Sequence, residues 1–173
     1  MLSGGYQRVS GSGAVILYGT VLIAVLVVDQ LTKGWIVNTF GLYESREVVA
    51  GLFNLVYVTN KGAAFSLFAT IDSPLRHYFF VTVNLIALSV LTIAAFKMRA
   101  ERWYLLSFGL ISGGALGNLV DRLRYGAVVD FLDFYLGSYH WPAFNVADSA
   151  IFCGVGLLLV LTFKKPQTTT QKG

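Results

Sequence analysis

The stretch Ala14-Val15-Ile16-Leu17-Tyr18-Gly19-Thr20-Val21-Leu22-Ile23-Ala24-Val25-Leu26-Val27-Val28 carries no charge, and it runs into Asp29-Gln30-Leu31-Thr32-Lys33 before apolar residues resume to about Val37. A helix needs roughly 20 predominantly apolar residues to cross a bilayer, so this segment predicts a first span over 14–37 with two charges toward one end. Three more stretches of the same kind follow at 78–96, 103–120 and 143–163. Composition agrees, since 55% of residues are hydrophobic and 13% charged, at a mean hydropathy of +0.66, whereas a soluble domain has about 25% charged residues. The chain reads as one integral membrane domain, residues 1–173, mainly α, with four transmembrane helices. Arg8 before the first span would also suit a secretory leader, but no small-x-small cleavage site follows. That helix is expected to be retained, and 167–173 to form a disordered tail.

Lysine and arginine gather at the cytoplasmic ends of spans. Lys97, Arg99 and Arg102 crowd the second link, Lys164, Lys165 and Lys172 follow the fourth span, and Arg8 precedes the first. Both termini are therefore expected in the cytoplasm, although Lys33, Arg46, Lys61, Arg76, Arg122 and Arg124 fall on the other side. The net charge of +4 is scattered over helix ends with no basic stripe, which argues against nucleic acid as a partner. The lone Cys153 lies deep in the fourth span, where a small buried apolar residue is the expected role and a nucleophile is not.

The two loops on the opposite side are patterned. Val48 to Thr59 is rich in β-branched and aromatic residues and is punctuated by Gly51 and by Asn60-Lys61-Gly62, which predicts a short sheet. Gly62 to Phe68 is expected to continue into an interfacial segment. Residues 123–142 alternate charge with Val, Phe and Tyr and include Trp141, residues suited to the headgroup level. The loops together read as a platform on the outer leaflet.

Two aspartates stand out in this frame: Asp130 in Ala127-Val128-Val129-Asp130-Phe131, and Asp148 in Phe144-Asn145-Val146-Ala147-Asp148-Ser149. A carboxylate near hydrocarbon costs about 2.5 kcal/mol or more, so a pair of them points to an aspartyl active site at the membrane surface. Asn118 and Arg122 are four apart and share a helix face, with Asp121 directed elsewhere; Arg122 alone could equally be a snorkelling anchor. Asp29 and Lys33, also four apart, read as a structural ion pair. Asn60 and Asn145 offer the donors and acceptors that orient a carboxylate or a peptide backbone, and Asn145 and Asp148 are expected on one helix face. Gly109, Gly113 and Gly117 recur every fourth residue and predict close helix packing. Asp121 is a rival carboxylate, while Asp133 is expected in an exposed loop.

Other chemistries fit poorly. His77 and His140 do not form a His-Glu-x-x-His zinc set, and neither is expected inside a span as a base for Ser112. A small transporter would also place Asp, Asn and Arg in membrane helices, but no inverted repeat is visible and the charges cluster at one interface.

The ordered set Asp29-Gln30-Leu31-Thr32-Lys33, Asn60-Lys61-Gly62-Ala63-Ala64, Gly113-Gly114-Ala115-Leu116-Gly117-Asn118-Leu119-Val120-Asp121-Arg122, Val129-Asp130-Phe131 and Phe144-Asn145-Val146-Ala147-Asp148-Ser149 closely resembles the lipoprotein signal peptidases, or signal peptidase II, across roughly residues 14 to 163. The resemblance implies a metal-free, cofactor-free aspartic endopeptidase of the bacterial inner membrane, which cuts prolipoproteins on the amino-terminal side of a diacylglyceryl-modified cysteine. It places the catalytic pair on Asp130 and Asp148, with Asp29, Asn60, Asn118, Arg122 and Asn145 supporting them or touching substrate. It further implies four helices, a small extracytoplasmic β platform and an interfacial helix; a monomer is expected as the working unit, and the assigned topology puts the active site toward the extracytoplasmic face.

Overall fold

A computed structural model describes residues 11–62, 74–98 and 101–164. Four helices, α1 (Gly11–Thr39), α2 (Pro74–Lys97), α3 (Arg102–Tyr125) and α4 (Val146–Lys164), accompany one antiparallel sheet of β1 (Ser45–Val49), β2 (Phe53–Asn60), β3 (Val128–Leu136) and β4 (Tyr139–His140), in that spatial order. Each helix is long and apolar enough to cross a membrane. The expected interfacial helix would fall within 63–73, and the expected disordered tail at 167–173; both lie outside the described residues.

Helix α3 is the hub, packed on α1, α4 and α2. Its apolar window is 67% buried inside the protein, against 11% for α2. The glycine stripe explains the closeness of the packing. A Cβ on Gly113 would stand 2.7 Å from Val25 Cβ and 2.8 Å from the Leu22 carbonyl of α1, and one on Gly114 would collide with the Ala147 carbonyl of α4. In a bilayer such approach is what binds helices, because lipid solvates apolar side chains as well as protein does.

Helix α3 ends at Gly126, whose left-handed φ of 70° lets its N–H cap the Arg122 carbonyl at 3.0 Å. The chain then enters β3, which pairs with β2 so that Val58 faces Asp130 and Asn60 faces Val128. Beyond the β3–β4 hairpin the chain returns: Phe131 and Leu132 donate to the Phe144 carbonyl at 3.0 and 2.8 Å, and Phe144 donates to Leu132 at 3.1 Å. That return sets the start of α4 beside the middle of β3.

Four expectations need correction. The fourth helix begins at Val146, because 143–145 are taken up by the bridge to β3. Asp133 is 7% exposed within β3, where Asn54 (2.9 Å) and His140 (2.9 Å) hold it. Cys153 is exposed, since α4 turns Gly154 toward Ser107 and Leu110 of α3 and leaves its neighbour outward. His77 lies within the first turn of α2, one residue before the expected span.

Candidate active site

The site forms where the sheet-side ends of α1, α3 and α4 meet β2 and β3, and Asn145 is its centre. Fully buried, this residue caps α4: its Oδ1 accepts the Asp148 N–H at 2.9 Å, the usual use of Asn ahead of a first turn. Its Nδ2 donates to Asp130 Oδ1 at 2.7 Å and to the Val129 carbonyl at 3.2 Å. Asn145 is thus not on the helix face shared with Asp148, as the spacing predicted, but ahead of the helix, where one amide holds one aspartate by its side chain and the other by its main chain.

Asp130 is 3% exposed, and the Asn60 side chain is its second hydrogen-bond partner. Burial, then the nearby Asp148 charge, push its carboxyl up to about 7, while the Asn145 and Asn60 hydrogen bonds and the Lys33 charge act the other way. Asp148 is partly exposed in the first turn of α4. Its Oδ1 accepts from Asn118 Nδ2 at 2.8 Å, and Asn118 Oδ1 accepts from Lys33 Nζ at 2.9 Å.

Arg122 donates from Nη2 to the Gly62 carbonyl at 2.7 Å and lies 4.6 Å over the Phe80 ring. Its Nε is buried with no partner among the described residues, and both Asp130 and Asp148 are near enough to act on it electrostatically. The Gly62 N–H in turn donates to Asn60 Oδ1 at 2.9 Å, closing an Asx turn.

Asp29 and Lys33 are more than an ion pair on one helix. Lys33 Nζ lies 2.9 Å from Asp29 Oδ2 and also 2.9 Å from Asp121 Oδ2, all three side chains at 3% exposure or less. Asp29 Oδ1 accepts the Ala147 N–H at 2.9 Å, and Asp121 Oδ2 accepts the Val129 N–H at 3.1 Å. Gln30 joins them, donating to Asp121 Oδ1 at 2.9 Å and to the Gly117 carbonyl at 3.2 Å. Asp121 is therefore engaged in structure, not free as a rival acid. All seven residues expected at a site, Asp29, Asn60, Asn118, Arg122, Asp130, Asn145 and Asp148, converge here. Sequence reasoning left out the third partner of the Asp29–Lys33 pair and the roles of Gln30 and Phe80; polarity inside a span was the one clue to Gln30.

Residues 21–164 match the family model described as Signal peptidase (SPase) II. The chain is similar to a lipoprotein signal peptidase of Desulforapulum autotrophicum (51% identity; 80% of this chain, 85% of that protein) and to one of Geobacter sulfurreducens (48%; 83% and 89%). The solved structure of a bacterial membrane enzyme at 2.3 Å resolution superimposes with a TM-score of 0.78 at 29% identity, over 97% of this chain and 98% of that one. Four helices able to span a membrane and a family match over most of the chain place this multi-pass membrane protein in the signal peptidase II family of aspartic endopeptidases.

Proposed function

We propose that Asp130 and Asp148 are the catalytic pair with which this peptidase removes signal peptides from prolipoproteins, cutting on the amino-terminal side of a diacylglyceryl-modified cysteine. The observation that carries the assignment is Asn145, whose one side chain holds both aspartates. Asp130, buried and protonated up to about pH 7, is the acid. Asp148, partly exposed at the start of α4 and held there by the Asn118 amide, is the base that meets the water.

In the first step Asp148 takes a proton from water and the oxygen attacks the scissile carbonyl, while the Asp130 proton passes to the carbonyl oxygen and gives a neutral gem-diol. In the second, the now protonated Asp148 delivers its proton to the amide nitrogen and Asp130 recovers one from a gem-diol hydroxyl. The C–N bond breaks, and the dyad returns to its starting protonation. Asn60, Asn118, Arg122 and Asp29 position the pair or the substrate backbone.

The chain works as a single domain and a monomer in the bacterial inner membrane, with no nucleic-acid partner. Both termini are cytoplasmic and the sheet is extracytoplasmic: Lys97, Arg102 and Lys164 stand at the helix ends away from the sheet, and positive residues gather in the sequence beside them. The test is cleavage of a diacylglyceryl-modified prolipoprotein peptide by purified protein in detergent. Asp130→Asn and Asp148→Asn should each lose at least about 10³-fold in kcat while retaining the wild-type melting profile. Turnover surviving in either folded variant sinks the dyad.

A further inference from the structure

Each proposed catalytic aspartate follows a residue whose main-chain N–H is held by another carboxylate. Ala147, before Asp148, donates to Asp29; Val129, before Asp130, donates to Asp121. The two carboxylates come from different helices, α1 and α3, and they meet on one ammonium, that of Lys33, at 2.9 Å each. The same ammonium donates to Asn118, which holds Asp148 Oδ1. Gly117 leaves room for this arrangement, since a Cβ there would stand 2.5 Å from Asp29 Oδ2.

We propose that Lys33 is a positioning residue for the reaction: through Asp29 and Asp121 it fixes the backbone just ahead of both catalytic aspartates, and so sets the separation and alignment of the pair. The inference rests on the Asp130–Asp148 reading. Two buried carboxylates without a counter-ion would repel each other and draw in water, and each would release the N–H it holds. The strand and the helix start would then move independently, and the alignment of two acid–base groups is lost with displacements of about an ångström, worth on the order of 10² in rate. Lys33 also acts on Asp130 at a distance, together with Asp148 from α4, Arg122 from α3 and the hydrogen-bonding amides of Asn60 and Asn145. Its charge favours the ionised Asp130, so its removal delays ionisation to higher pH.

The experiment compares kcat, KM and the pH profile of wild type with Lys33→Met and with the charge-matched Lys33→Met/Asp29→Asn, using the same lipid-modified peptide, with Asp130→Asn and Asp148→Asn alongside. Expected is a fall in kcat of about a hundredfold at a KM within about threefold of wild type, with the alkaline limb moved to higher pH. A residue serving fold alone would lower the amount of active enzyme without moving that limb. The proposal is overturned by a folded Lys33 variant with wild-type kcat and an unshifted profile, by a variant in which KM alone changes, or by failure of both variants to fold, which would make Lys33 a folding residue only. Activity in the two aspartate controls would instead sink the dyad itself.

Discussion

Asp130 and Asp148 occupy unlike housings. Asp130 stands in a strand locked by ladder hydrogen bonds on one side and by Asn145 on the other, with 3% of its surface exposed. Asp148 stands in the first turn of a membrane helix and is partly exposed. The strand offers desolvation and the neighbouring Asp148 charge, which favour a proton bound to Asp130, while the helix start leaves Asp148 within reach of water. On the proposed reading two chemically identical side chains take different parts in the reaction, the buried one as acid and the partly exposed one as base. An enzyme that needs one acid and one base obtains both without any difference in residue type.

The strongest way to break that comparison is to remove the residue common to both housings. Asn145→Ala frees the Asp130 oxygen and uncaps α4 together, so kcat should fall by at least about a hundredfold; retention of most of the wild-type rate by folded enzyme would show that the housings are set elsewhere. Next in size is pH. With Asp130 protonated below about 7 and ionised above it, kcat/KM should drop about tenfold per unit once the pH exceeds that value, and a profile flat to pH 9 would reverse the assignment of acid and base. A subtler comparison lengthens each carboxyl by one methylene. Asp130→Glu has no free volume and should lose several-fold more activity than Asp148→Glu, which has room toward solvent; equal losses would mean the two environments are equally tight. The smallest effect is expected from Asn60→Ala. Its hydrogen bond favours the ionised Asp130, so its loss should move the alkaline limb slightly upward and change kcat at pH 6 by no more than about threefold. A downward move contradicts the geometry.

Much of this was legible in the chain itself, and the reasons differ by residue. Spans show because hydrocarbon demands long apolar runs, and Asp130 and Asp148 show because a carboxylate there is costly. The Asp29–Lys33 pair was visible at i, i+4, but Asp121 was not visible as its third member, since nothing local in the sequence encodes a contact between α1 and the far end of α3. Asn145 reads as helical because the apolar run begins before it, whereas the bridge of Phe144 to Leu132 delays the helix and turns Asn145 into a cap. Asp133 reads as exposed from a polar, aromatic loop pattern; its burial depends on Asn54 and His140 arriving from neighbouring strands. Cys153 reads as buried from its depth in a span, yet depth in a bilayer says nothing about which face meets protein and which meets lipid.

The return of Phe144 onto β3 has a practical consequence. Because Phe131, Leu132 and Phe144 fasten the base of the intervening lobe, the stretch from 133 to 143 is a closed appendage whose tip, at Gly137 and Ser138, bears no part of the catalytic apparatus. The tip is a port for engineering: a nick, an epitope or a dye inserted there leaves the two aspartates fastened to one another by the base of the lobe. A split enzyme reassembled from fragments ending at Gly137 and starting at Ser138 would keep the two proposed catalytic aspartates on opposite sides of the cut, joined by the hydrogen bonds at the base of the lobe and by the packing of α4 on α3.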